Sequence, residues 1–319
     1  MRVPVTALSI VTLAAAGVFS VSCHKNVSTT AAAAPKPAPA AAPAVPPPAP
    51  APAPPAAGQR GQAAAPAPAP AGRGQAAAPA MPRTADGKPD FSGIWQVLDN
   101  SIDGNVEPHT ASYGTHAGQG VIVDPPNGLI PYKPEALAKR QANFKNRAKD
   151  PVAYCFKPGV PRITYIPFPF QITQTPKMIQ MTYEFVHSYR SVYLNGSDHL
   201  PGIDFYNGDS RAKWDGDTLV VDVTGLNDDP DHPTWFDASG NYHSDALHVV
   251  ERWTMTSPNT VTYRATMDDP KVFSRPWTIE VTLYRHMEKN YRLMEYECQI
   301  FKETLVRQGK GNSLKTVED

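Results

Sequence analysis

The feature that most limits this chain is its alternation. From Met178 onward, apolar residues recur at every second position in run after run. Ile179, Met181, Tyr183 and Phe185 share one parity, and Leu219, Val221 and Val223 form the next such set. Leu247, Val249, Trp253 and Met255 follow, then Val261, Tyr263, Ala265 and Met267, then Trp277, Ile279, Val281 and Leu283. A period of two sends successive side chains to opposite faces, so each run predicts a strand with one buried face. Residues 91–98, 189–194 and 291–301 predict further strands, and Asn195-Gly196 is a hairpin signal. Only residues 134–148 carry a helical pattern, with Pro134 at a first-turn position and Lys139, Arg140, Lys145, Arg147 and Lys149 crowding the C-terminal half. Roughly eight to ten strands at hairpin spacing predict a mainly β fold. The expected architecture is an antiparallel meander closed into a barrel, with a β-sandwich as the alternative.

Alternation is confined to the C-terminal part. Many of the 35 prolines fall in an Ala/Pro tract over residues 31–82, which favours polyproline II and offers almost nothing to bury. That leaves roughly 235 residues, enough for one sizeable domain. The expected organisation is a signal peptide at 1–22, a tether at 23–83, a β domain at 84–308 and a flexible tail at 309–319. The formal net charge of zero hides an asymmetry. Residues 1–83 contain Arg2, Lys25, Lys36, Arg60, Arg73 and Arg83 and no acid, so the folded part is acidic overall. An acidic domain repels phosphate backbones, which argues against nucleic acid as a partner.

Residues 5–21 are uncharged and apolar after Arg2, and Ser20-Val21-Ser22 has small residues at the cleavage positions. Together these predict secretion. Cys23 follows directly, which predicts lipid attachment there and a membrane contact through that lipid, with simple secretion as the alternative. Export permits a disulfide between the remaining two cysteines, Cys155 and Cys298, and the alternative is two buried thiols.

Candidate chemistry concentrates between Lys213 and Trp253. Asp217 sits in Asp215-Gly216-Asp217-Thr218, a turn that can present a carboxylate at a sheet rim. Asp228, Asp229 and Asp231 carry oxygen ligands without EF-hand spacing, and no zinc-type His spacing accompanies His232 and His243, so no metal is expected. Glu251 shares the parity of Leu247, Val249 and Trp253, which places a carboxylate on the apolar face. It is either an acid/base group, with His243, or half of an ion pair with Arg162, Arg190 or Arg275. Arg162, Trp214, Trp235 and Trp253 are the candidate ligand-binding residues, and core packing is the competing role for the tryptophans. A nucleophile elbow, a phosphate-binding Gly loop and a haem motif are all missing, so no cofactor is expected.

Several long motifs occur in one order: P-D-F-S-G-I-W from Pro89, D-P-V-A-Y-C-F-K-P-G-V-P-R from Asp150, W-D-G-D-T-L-V-V from Trp214, H-S-D-A-L-H-V-V-E-R from His243, D-D-P-K-V-F-S-R-P-W from Asp268 and L-M-E-Y-E-C from Leu293. On these the chain resembles a family of exported proteins abundant in soil acidobacteria and some proteobacteria. Members have Gly-His-Ser where this chain has Gly208-Asp209-Ser210. Gly93-x-Trp95 resembles the opening of lipocalin-type barrels, and the expected barrel is therefore calycin- or lipocalin-like. The expected function is binding of a small apolar or aromatic ligand in the cell envelope. An exported hydrolase or lyase using Glu251 and His243, and a structural envelope module, are the alternatives.

Overall fold

The computed structural model describes residues 80–111, 116–227, 229, 233–300 and 303. The expected leader, Cys23, the tether up to residue 79 and the tail at 309–319 lie outside the described residues, as do Asp228, Asp231 and His232. The strands are β1 (Gly93–Val97), β2 (Ile122–Asp124), β3 (Phe170–Gln174), β4 (Met178–Tyr183), β5 (Tyr189–Tyr193), β6 (Asp209–Asp215), β7 (Thr218–Thr224), β8 (His248–Ser257), β9 (Thr260–Asp268) and β10 (Trp277–Arg285). Two helices are short, α1 (Leu137–Lys145) and α2 (Arg162–Tyr165).

Among the described residues the strands form one sheet in the order β1-β3-β4-β5-β6-β7-β8-β9-β10-β2. β1 also pairs with β10, Trp95 opposite Arg285 and Val97 opposite Leu283. A 9-strand barrel therefore closes, with β2 outside the ring on the remaining length of that same β10 edge. Closure rules out the sandwich.

Alternation explains the inside of the barrel. Met181, Val192, Val221, Val249, Ala265 and Ile279 are all buried, while their strand neighbours are exposed or half-buried. Trp95, Trp253 and Trp277 are fully buried as well. Trp253 packs edge-on against Phe170 at 6.2 Å and Tyr263 at 4.8 Å. The strand faces that meet inside thus form one continuous hydrophobic core, a packed interior in place of an open lumen.

Four expectations are corrected. First, the helix spans Leu137–Lys145 and not 134–148. Residues 132–133 are extended, with Tyr132 bridged to Phe273 and the Lys133 amide donating to the Val272 carbonyl, and a residue before proline avoids helical geometry. Second, Asn195-Gly196 does not turn a hairpin. β5 and β6 run parallel, joined by a crossover over residues 194–208, and the Asn195 side chain caps the Ser197 amide instead. The sheet is therefore a meander with one parallel joint. Third, no strand forms over residues 291–297, and Cys298 opens a helical turn. Both edges of β10 are already occupied, by β9 on one side and by β1 and β2 on the other. The segment packs on the barrel wall instead, with Tyr296 against Phe168 and Phe185. Fourth, Phe185 does not continue the β4 face but begins a 3-10 turn in which Val186 and His187 adopt positive φ. Cys155 and Cys298 are joined as a disulfide, with Cα atoms 5.7 Å apart.

Candidate ligand-binding site

The alternation of β5 places Arg190 and Val192 inside the barrel and Tyr189 and Tyr193 outside. Inside, Arg190 meets Glu251 across two intervening strands. Nη1 donates to Glu251 Oε1 at 3.0 Å, Nη2 to Oε2 at 2.5 Å, and Nε to Ser210 Oγ at 2.9 Å. Tyr263 donates its hydroxyl to Glu251 Oε1 at 2.6 Å. Burial alone would pull the guanidinium pKa down, but the Glu251 carboxylate outweighs it and holds it above the ordinary arginine value. Burial, reinforced by the same carboxylate, keeps Tyr263 neutral far above the usual tyrosine range.

Outside, the crossover forms a wall beside β5. His199 pins it, with Nδ1 3.1 Å from Asp209 Oδ2 and Nε2 2.8 Å from Asp222 Oδ1. The Leu200 amide donates to Asp209 Oδ2 at 2.9 Å, and Arg211 pairs with Asp209 Oδ1 at 2.8 Å. His248 Nε2 meets the other oxygen of Asp222 at 2.9 Å. Burial works to raise the Asp222 pKa, and the two imidazoles reverse this and hold it below the carboxylate norm. Gly208 ends the wall with φ of 65°, and a Cβ there would stand 2.5 Å from Val223 Cγ1. Only glycine fits that approach.

Between wall and strand lies an open cleft of about 400 Å³, lined by Tyr189, Tyr193, Leu200, Phe205, Tyr206 and Asn207 among others. That volume is within the roughly 300–1,000 Å³ common for small-molecule sites. Arg190 and Asp209 contribute to its lining, so the cleft sits directly on the barrel's buried ion pair. Tyr189 is 66% exposed, Tyr193 36%, Leu200 48% and Phe205 39%. Large apolar side chains clustered in one exposed patch mark an interaction surface better than single ones do.

The residues singled out from the sequence are not gathered here. Glu251 is fully buried in the ion pair, so of its three candidate partners Arg190 is the one engaged. His243 is buried in the loop before β8, its Nε2 2.6 Å from Thr234 Oγ1 and its Nδ1 2.9 Å from the Ser244 carbonyl. Asp217 is exposed in the β6–β7 turn and grips Arg83 through both oxygens, at 3.0 and 2.6 Å, which lowers its pKa. Arg162 is buried, clamped by both oxygens of Asp150 and by Asp103 Oδ1. Trp214 stacks on Phe91 at 6.1 Å, Trp235 is buried in a bridge to Tyr242, and Trp253 is in the core. The acidic loop fastens the barrel end: Asp237 accepts from the Val106, Ser239 and Asn241 amides and from Asn241 Nδ2. Burial pushes its carboxyl up to about 6, against those donors.

The cleft residues Tyr189, Tyr193, Phe205 and Asn207, and the His199 that pins the wall, do not stand out in the sequence. One signal was available: period-two parity in residues 189–193 already turned both tyrosines outward.

No family model and no curated protein matches this chain. Among solved structures, "Structure of EF1p2_mFAP2b bound to DFHBI" is similar at 16% identity with a TM-score of 0.19, covering 38% of this chain and 80% of that one.

Proposed function

We propose that this protein binds a small ligand with an apolar or aromatic face, and that it does so in the flank cleft and not inside the barrel. One observation carries the reading: a pocket of about 400 Å³ rimmed by exposed Tyr189, Tyr193, Leu200 and Phe205. The barrel interior, by contrast, is filled by its own side chains. Acid/base chemistry by Glu251 and His243 has no comparable support, since both are buried and bonded to neighbouring side chains or backbone. We place the protein in the cell envelope, outside the cytoplasm, carried by a leader and a tether and anchored by lipid at Cys23. The Cys155–Cys298 disulfide supports an oxidising compartment.

The test uses N-phenyl-1-naphthylamine, an uncharged aromatic fluorophore. Saturable fluorescence enhancement is expected, and Phe205→Ala and Tyr189→Ala should each weaken it. A protein that gives no saturable signal, or one indifferent to both substitutions, would refute the cleft as the site.

A further inference from the structure

The amide of Asn207 has a fixed orientation. Its Nδ2 donates to the Tyr189 carbonyl at 3.2 Å and to Ser188 Oγ at 2.8 Å. A backbone carbonyl can only accept, so the nitrogen must face it and the amide cannot be flipped. Oδ1 is then an acceptor by necessity, and this buried atom has no hydrogen-bond partner. Asn207 is 7% exposed and lines the cleft. A buried acceptor left unmatched costs about 1–3 kcal/mol, which an O–H donor from a ligand would relieve.

The charges of the lining cancel. Arg190 is neutralised by Glu251, and Asp209 by Arg211. Lys157 and Asp204 are of opposite sign. The lining carries no net charge, so a charged ligand gains no net attraction there and the site favours a neutral one. The remaining polar lining residues are rich in acceptors and phenols: Asp204, Asn207, Tyr189, Tyr193 and Tyr206. The Tyr193 ring is backed by the Arg211 guanidinium at 4.7 Å, which steadies it as a platform. Exposed aromatic faces beside several acceptors call for a molecule with a flat apolar C–H face and several hydroxyls on one small ring.

We propose that the ligand of the cleft is an uncharged saccharide, its ring lying on the exposed aromatics and one hydroxyl donating to Asn207 Oδ1. This rests on the cleft being the binding site, and the experiment separates the two claims. Full-length protein is titrated by calorimetry with neutral saccharides: N-acetylglucosamine, chitotriose, cellotriose, maltotriose and mannotriose. Each is also tested for displacement of N-phenyl-1-naphthylamine. At least one should bind saturably and displace the fluorophore. Phe205→Ala and Tyr189→Ala, both at exposed positions, should weaken it about tenfold, roughly 1.4 kcal/mol. Asn207→Ala should weaken it as well, with a melting curve alongside because Asn207 also ties down Ser188 and Tyr189. Fluorophore binding with no saccharide binding overturns the saccharide and leaves the cleft standing. Failure of both overturns both. Saccharide binding that survives the two ring substitutions also overturns the proposal, because it lies elsewhere.

Discussion

Replacing Glu251 by Gln gives the sharpest test of how the barrel core is held. The substitution preserves shape and leaves an oxygen to accept from Tyr263. It removes the charge that balances Arg190, which is 2% exposed and cannot reach water. Breaking one side of a buried pair costs about 3–5 kcal/mol, because the surviving charge is uncompensated. For a domain of this size each kcal/mol moves the midpoint by roughly 2–4 °C, so Tm should fall by about 6–20 °C. Replacing both residues by Met removes the stranded charge. Ser210 and Tyr263 then lose partners, a penalty of about 1–3 kcal/mol each, but replacing a whole buried ion pair by apolar residues is often neutral or stabilising by about 1–4 kcal/mol. The double variant should accordingly be more stable than Glu251→Gln. Urea unfolding at pH 7, followed by tryptophan fluorescence, measures all three proteins. A Glu251→Gln variant within about 1 kcal/mol of the parent would refute the reasoning, as would a double variant less stable than the single one.

The other predictions concern the disulfide and Asp237. Cys155 and Cys298 are separated by 143 residues, and the chain-entropy model assigns such a loop about 5 kcal/mol. Cys155→Ser/Cys298→Ser should lose up to that amount in urea unfolding, and in the parent protein Cys155 and Cys298 should resist alkylation in intact cells of the source. Free alkylatable thiols there would count against export. Burial raises the Asp237 carboxyl from 3.8 to about 6 in the fold. Between those values the folded state holds a proton that the unfolded state has released, so this group's contribution falls as pH rises through the window. The loss is about 3 kcal/mol in total, and Asp237→Asn should abolish that component of the slope. A variant with the parent's stability–pH curve would show that Asp237 does not titrate there.

Period-two parity made the barrel walls legible residue by residue. It placed Glu251 inside from its spacing to Val249 and Trp253 alone. It could not choose Arg190 as the partner, because β5 and β8 are not neighbours in the sheet and meet only across the closed interior. The Asn195-Gly196 signal failed for a related reason. Turn chemistry describes a local reversal, whereas the direction of β6 is set by closure of the ring. The cleft was hidden because its wall, residues 194–208, has no periodicity, and its decisive atom is an amide oxygen whose isolation depends on a fold-wide arrangement. The tryptophans drew attention by size, and their main use is packing.

The parallel joint between β5 and β6 has a mechanical consequence. Its ladder runs only over Val192–Ser210 and Tyr193–Arg211, whereas β8 and β9 are laced from His248–Asp268 to Ser257–Thr260. If a cylinder of strands parts anywhere, it parts along its shortest row of stitches. The cleft straddles that row, with Tyr189 and Tyr193 on one side and Asn207, Gly208 and Asp209 on the other. A molecule seated there would clamp both lips of the seam, and its affinity would add to the cohesion of the cylinder where the backbone contributes least.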